Sequence, residues 1–313
     1  MALNPRQTLA NWTMLLALTV LWGSAFAFTK VAVGGLPPEL VVGGRLALAS
    51  ALLFTVVLAT ARRLPRGRRL WLSFGLIALF GNVLPFSLIT WGQGFIDSGV
   101  AGILMAVMPL MTLGLSHYFV AGERLTPLRV LGFLAGLAGV VVLMGPEALG
   151  QLVRGGGDLI PMLAVLAGAG CYSVAAVLAR LRPDSDALGS AAATTLFGTA
   201  MMLPFALDAG ADLALAATAG AQWAAVAVLG VFSTATATVI YFRLIRTAGP
   251  TFTSQMNYLI PLWAVLIGVV FLGESPEPRH LYALGLILSG LLATHAASRH
   301  GRSWAGPACR APA

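Results

Sequence analysis

The sequence predicts an all-α integral membrane protein of ten transmembrane helices, arranged as two inverted repeats of five. Three observations support this: the composition, ten apolar segments joined by short loops, and a pattern that recurs in both halves. Hydrophobic residues make up 58% of the 313 residues and charged residues 10%, against about 45–50% and about 25% in soluble domains. A soluble chain could not cover so much apolar surface. This composition excludes a soluble enzyme, a secreted disulfide scaffold and a disordered chain.

Each apolar segment is long enough to cross a bilayer as a helix, which requires about 20 mostly apolar residues. The predicted spans are 10–33, 38–61, 71–92, 98–120, 126–145, 158–180, 187–207, 222–245, 250–272 and 280–298. The first span is longer than the apolar part of a cleavable signal, and further spans follow it, so we interpret it as transmembrane.

The distribution of basic residues predicts the orientation. With the N-terminus inside, fifteen arginines fall on the inner side, while Arg154 and Arg279 fall on the outer side and Lys30 and Arg45 within spans. Positive charge in short loops marks the cytoplasmic side. Both termini are therefore predicted to be cytoplasmic and the number of spans even. The net charge of +8 indicates membrane orientation rather than binding to nucleic acid.

A proline followed by a Gly-Glu pair occurs once in each half of the chain. The two blocks are Val107-Met108-Pro109-Leu110 with Gly122-Glu123, and Leu259-Ile260-Pro261-Leu262 with Gly273-Glu274. The prolines are 152 residues apart. A repeat of five spans is odd, so the second copy would be inverted in the membrane, as in many transporters. Chance similarity between apolar helices is the alternative.

These blocks, together with Trp22-Gly23-Ser24 followed by Lys30, Pro37, Pro38 and Arg45, resemble the ten-helix EamA branch of the drug/metabolite transporter superfamily. The resemblance covers residues 10–298. It implies a first repeat at 1–145, a periplasmic linker at 146–157, a second repeat at 158–298 and a cytoplasmic tail at 299–313. It also implies a central cavity and export of metabolites, amino acids or drugs across a bacterial inner membrane. At the positions of the second repeat that are equivalent to Lys30 and Arg45, the sequence has no charged residue.

The position of the acidic residues bears on energy coupling. All eleven carboxylates lie in loops or at span ends, whereas carriers driven by protons or sodium usually hold an acidic residue at membrane depth. No G-x-x-x-x-G-K-[ST] loop for ATP is present. A facilitator or exchanger is therefore expected, most simply of hydrophobic or aromatic amino acids. The alternative is a proton-coupled drug or metabolite exporter, with a relay through His117 or His295, or coupling through Glu123.

An intramembrane enzyme and a channel are more remote alternatives. The spans contain no catalytic constellation and no charged ring. No cofactor and no metal is expected, since the two cysteines, Cys171 and Cys309, lie in an apolar segment and in the tail. The expected partners are a small-molecule substrate and membrane lipid, without nucleic acid or ATP. The oligomeric state is left open.

Polar and aromatic residues within spans are the candidate substrate-binding groups, because an amide or hydroxyl in lipid costs free energy unless it is hydrogen bonded. They are Trp22, Ser24, Lys30, Asn82, Tyr172, Gln255, Asn257 and Tyr258. The alternative for each polar group is a hydrogen bond between helices. For Lys30 and Arg45 three interpretations are open: the side chain extends along lipid to the interface, it faces the cavity mouth and attracts a substrate carboxylate, or it serves only in packing or at a helix end.

Two further patterns predict local geometry. Pro109 and Pro261 lie near the middle of their spans, where a proline frees a backbone carbonyl and bends the helix. They are candidate hinges beside the substrate. Gly132-x-x-x-Gly136 allows close helix contact, either within the bundle or between subunits.

Overall fold

The structure, a computed structural model, describes residues 5–60, 67–93, 95, 98–154, 159–182, 185–209, 220–272 and 278–303. Within these ranges every regular element is a helix. The α-helices are α1 (Pro5–Val33), α2 (Pro38–Ala59), α3 (Arg68–Ala78), α4 (Leu84–Gln93), α5 (Ser98–Met105), α6 (Met108–Phe119), α7 (Pro127–Arg154), α8 (Leu159–Leu181), α9 (Ala187–Ala209), α10 (Gly220–Val228), α11 (Ala237–Ala248), α12 (Pro250–Ser254), α13 (Met256–Leu272) and α14 (Pro278–Ser303).

Nine helical segments in the described ranges are long and apolar enough to cross a membrane. The prediction of an all-helical, multi-pass membrane protein is confirmed in this form. The remaining predicted span, 250–272, is helical but consists of α12 and α13 and is not among the nine. The tenth span and the inverted repeat therefore stay predictions.

The outer surface of the bundle carries large apolar side chains. Leu58, Leu131 and Leu292 are 74%, 62% and 70% exposed. Lipid covers such a surface at no cost, whereas water would not. Small residues dominate parts of the interior, where Ala191, Ala192 and Ala193 are completely buried.

Helices α7 and α14 approach each other so closely that only glycine fits at their contact. A Cβ atom on Gly132 would lie 2.7 Å from the backbone oxygen of Gly290. One on Gly139 would lie 2.6 Å from Cγ1 of Ile287, and one on Gly290 would lie 2.9 Å from the backbone nitrogen of Gly136. The glycine pattern thus serves packing within one chain.

Several helices are interrupted within the membrane. Residues 106–107 separate α5 from α6, and Gln255 separates α12 from α13. The second interruption lies six residues before Pro261, which sits inside α13. The kink in α7 is at Gly145, with φ 83°, and residues 146–154 are helical, so the predicted linker begins as further helix.

Within the described residues, two π-helical segments interrupt spans, one in each half of the chain. The first π segment is Leu79–Val83, between α3 and α4, and the second is Leu229–Thr236, between α10 and α11. Adding the 152-residue offset between Pro109 and Pro261 places the first segment at 231–235, inside the second. The side-chain hydroxyl groups of Thr234 and Thr236 donate hydrogen bonds to the carbonyl oxygens five residues earlier. This is the same spacing as that of the backbone hydrogen bonds in a π turn. Such turns are rare in proteins, and those that occur are often found at functional sites.

Charged side chains at the predicted inner face tie helix ends together. Arg180 Nη1 donates to the carbonyl oxygens of Ile245 and Arg246, at 3.3 and 2.6 Å, at the C-terminus of α11. Arg129 Nη1 lies 3.0 Å from Glu123 Oε2, and both side chains are largely buried.

Candidate functional site

A connected group of polar and aromatic side chains occupies the interior where α1, α2, α4, α8, α11 and the second π segment meet. We call it the Arg45 cluster; its members are Trp22, Arg45, Phe86, Tyr172, Thr234 and Tyr241. Each is linked to at least one other member by a hydrogen bond or a ring contact. It combines one cation with four aromatic rings.

Arg45 is the charged member of this cluster. Its side chain is 6% exposed, so it does not extend along lipid to the interface. Its Nε donates to Thr234 Oγ1 at 2.9 Å, and its guanidinium carbon lies 4.6 Å from the centre of the Phe86 ring. Among the described residues, no carboxylate pairs with it. Of the interpretations open from sequence, this geometry removes the lipid-facing one for Arg45, and the role at the cavity stays a prediction.

Aromatic side chains continue from Arg45 towards α1. Phe86 and Tyr172 meet edge to face, with ring centroids 6.4 Å apart. Tyr241 lies 5.6 Å from the Trp22 ring, and Trp22 Nε1 donates to the carbonyl oxygen of Ser233, the residue before Thr234. The predicted residues Trp22 and Tyr172 therefore lie at the two ends of one group that Thr234 and Arg45 join. These apolar ring faces beside a cation suit a ligand with an aromatic or aliphatic body and a polar end.

The hydrogen-bonding groups of α1 are used by neighbouring helices. Trp22 Nε1 donates to the carbonyl oxygen of Ser233 at 2.8 Å, and Ser233 Oγ donates to the carbonyl oxygen of Leu21 at 2.9 Å. Ser24 Oγ accepts from Trp263 Nε1 at 3.0 Å. These bonds fix α1 against the second π segment and α13. Ser24 is thus close in sequence to Trp22 of the Arg45 cluster, but its side chain is hydrogen bonded to α13.

Asn82 lies in the first π segment, half-buried, with its amide nitrogen facing Gly198 of α9. Adding the 152-residue offset to position 82 gives position 234, so Asn82 corresponds in the second half to Thr234, the hydrogen-bond partner of Arg45. The two π segments thus present a polar side chain at corresponding positions. Among the described residues, the Asn82 amide has no hydrogen-bond partner, which leaves it available to a ligand.

The amide-rich run before Pro261 divides between two environments. Gln255 Nε2 donates to Thr294 Oγ1 at 2.7 Å, and Tyr258 Oη donates to the carbonyl oxygen of Phe133 at 2.9 Å, both buried. Asn257 Nδ2 donates to the carbonyl oxygen of Ser254 at 3.0 Å and contacts Met108 Sδ at 3.2 Å. Contacts with α7 and α14 thus account for Tyr258 and for the amide nitrogen of Gln255, whereas Gln255 Oε1 is buried without a hydrogen-bond partner among the described residues. Their binding of substrate stays a prediction.

The two predicted hinges differ in their surroundings. Pro109 occupies the first turn of α6, directly after the interruption at 106–107. The nearby carbonyl of Met108 accepts hydrogen bonds from Thr112 and Ser173. Pro261 is buried in continuous helix. Lys30 lies on α1, but its side chain is outside the described residues.

Sequence reasoning did not single out Phe86 or Trp263, and it did not predict the π segments. Phe86 directly follows Pro85 and lies four residues after Asn82. This proline and this amide were the available signal. No residue type encodes a π turn. In the described ranges, no group of three or more His, Cys, Asp or Glu side chains could hold a metal ion.

Comparisons with known proteins agree in length and architecture. The model of the EamA-like transporter family matches residues 11–145 and 159–295. The uncharacterized inner membrane transporter YedA of Escherichia coli strain K12 is 28% identical over 285 residues, which is 90% of each chain. YoaV of Bacillus subtilis, an uncharacterized transporter, is 25% identical and covers 89% of this chain and 92% of its own.

Two further comparisons add a substrate name and a fold. A probable terminal-alkyne amino-acid exporter of Streptantibioticus cattleyicolor is 26% identical, covering 90% of this chain and 92% of its own. One solved crystal structure superposes with a TM-score of 0.70 at 22% identity, covering 93% of this chain and 98% of that one. At that identity the superposition shows the fold alone.

Proposed function

Because the chain belongs to the EamA-like transporter family and is a multi-pass membrane transporter, we propose that it exports hydrophobic or aromatic amino acids. The Arg45 cluster carries this proposal. Its rings offer an apolar surface of the kind that binds such side chains, and it lies in the interior, where the helices of both halves meet. The amino-acid exporter among the relatives supports the same class.

The proposed transport cycle is alternating access by a facilitator or exchanger. The two halves would rock about the Arg45 cluster and open it to one side of the membrane and then the other. The interruptions at 106–107 and Gln255, with the two π segments, supply places where helices can bend. The absence of a carboxylate from the middle of any predicted span supports transport without proton coupling.

Counterflow in proteoliposomes tests this function. Purified protein is reconstituted, the vesicles are loaded with unlabelled L-phenylalanine, L-leucine or L-glutamate, and uptake of the labelled counterpart is followed with and without a pH gradient. We expect L-phenylalanine and L-leucine to accumulate transiently, L-glutamate not to do so, and the pH gradient to have no effect. Protein-free vesicles are the control.

Each other result has a defined meaning. Uptake that requires the pH gradient would refute the facilitator and favour the proton-coupled exporter. Failure of every amino acid to move, in a preparation that still shows a cooperative thermal transition, would refute the substrate class. Where uptake occurs, Asn257→Ala and Lys30→Ala are the next variants, since both side chains were predicted to bind substrate.

The proposed orientation places both termini in the cytoplasm of a bacterium and the protein in the inner membrane. The arginine distribution supports it, as does the description of a relative as an inner membrane transporter.

Cys309 provides a natural probe once Cys171→Ala removes the other cysteine. In intact cells an impermeant maleimide should not label Cys309, and it should label Cys309 after permeabilisation. Labelling without permeabilisation would refute this orientation.

A further inference from the structure

We infer that Arg45 is the anion-binding residue of the transport site and receives the carboxylate of the substrate. The inference rests on the proposed function, which it deepens by naming the residue and the required chemical group. A cation 6% exposed within a membrane span is costly unless it has a partner. Among the described residues Arg45 makes no ion pair, and we infer that a bound ligand supplies the counter-charge.

The geometry around the guanidinium leaves its terminal nitrogens for a ligand. Thr234 accepts from Nε and donates its own proton to the carbonyl oxygen of Leu229 at 2.9 Å. Among the described residues, the Arg45 guanidinium is therefore held by a hydrogen bond at its Nε edge only. Within the described part of the chain, Nη1 and Nη2 have no hydrogen-bond partner. Two parallel N–H groups in one plane match the two oxygens of a carboxylate.

The aromatic neighbours select what accompanies the carboxylate. Phe86 lies against the face of the guanidinium, at 4.6 Å, and meets the edge of Tyr172. A ligand bound at the terminal nitrogens therefore has ring surfaces beside it, which suit an apolar body. No carboxylate among the described residues faces Arg45, so none of them competes with the ligand.

Ligands that share a phenyl ring separate the carboxylate from the amine. The probes are 3-phenylpropionate, which has a carboxylate and no amine, and phenethylamine, which has an amine and no carboxylate. Binding is measured as the rise in the thermal midpoint of the purified protein with increasing probe concentration. We expect 3-phenylpropionate to stabilise the protein and phenethylamine to leave the midpoint unchanged. Equal stabilisation by both would overturn the inference.

Variants then assign the effect to Arg45. In Arg45→Gln we expect affinity for 3-phenylpropionate to fall about 10- to 100-fold, the range for a lost charge-assisted hydrogen bond. Arg45→Lys should retain part of the affinity, since the charge remains without the planar fork. The matched control is Arg243→Gln, which removes one positive charge at an exposed position and should bind as wild type does.

Thr234→Val separates positioning from charge. It removes the acceptor at Nε but leaves Arg45 intact, and we expect a loss in affinity of about 2- to 10-fold. It also keeps the inference testable if Arg45→Gln does not fold. A purely structural arginine would give a different pattern, in which Arg45→Gln lowers the thermal midpoint without probe and leaves the affinity unchanged. That result would overturn the inference.

The two proposals fail separately. If L-phenylalanine is not transported but 3-phenylpropionate binds through Arg45, the amino-acid assignment is wrong and the anion site stands. If L-phenylalanine is transported equally well by wild type and Arg45→Gln, the function stands and the anion site is wrong.

Discussion

Replacement of Gly132 by alanine tests how closely α7 and α14 approach each other. The added Cβ would lie 2.7 Å from the backbone oxygen of Gly290 and 3.1 Å from the backbone nitrogen of Thr294. Because both atoms belong to the backbone of α14, no side chain can rotate away to make room. To reach an ordinary contact of 3.4 Å, the carbonyl would have to retreat by about 0.7 Å.

The cost follows from this displacement. Overpacking a close interface costs about 1–3 kcal/mol, and the higher helix propensity of alanine offsets up to about 1 kcal/mol. We therefore expect a net loss of about 1–2 kcal/mol. For a protein somewhat larger than a 250-residue domain, each kcal/mol lowers the thermal midpoint by about 2–4 °C, so a fall of several degrees is expected.

Intrinsic tryptophan fluorescence of the detergent-solubilised protein during heating gives the midpoint. The control is Gly285→Ala in the facing helix α14, where a Cβ would meet nothing within 4 Å. That variant should match or slightly exceed wild type. If Gly132→Ala is as stable as Gly285→Ala, the helices are further apart than described and the argument for glycine at this interface fails.

Three further experiments test individual contacts. Trp22→Phe removes the donor to Ser233 and should cost about 1 kcal/mol; an unchanged thermal midpoint would contradict that bond. A double-mutant cycle with Glu123→Gln and Arg129→Gln should give a coupling energy of about 1.5–3 kcal/mol, and additivity would show that the pair is not formed. Arg180→Ala frees two carbonyl groups at the end of α11 and should lower the midpoint more than the exposed Arg243→Ala does.

Most of the fold could be predicted because membrane helices are defined by length and composition. The predicted spans 38–61 and 187–207 correspond to Pro38–Ala59 and Ala187–Ala209. Both boundaries follow local signals, namely charged residues and prolines at the ends of apolar runs. Such signals do not depend on how the helices pack.

The site was less predictable because packing decides it. Whether Arg45 extends to lipid or turns inward depends on α4 and the second π segment, which supply Phe86 and Thr234. The interruption of the second broken span falls at Gln255 rather than at Pro261, and the Gln255 side chain is bonded to Thr294. A proline alone does not specify where a helix breaks, since neighbouring helices can satisfy the carbonyl it frees.

The matching π segments have a consequence for comparing this chain with its relatives. Each residue advances an α-helix by about 100°, so inserting one residue normally rotates everything after it onto another face. A π turn takes up the extra residue within a single wider turn. We expect alignments to tolerate single-residue gaps at 79–83 and 229–236, where the rest of each span keeps its orientation, and to exclude them elsewhere in these two spans.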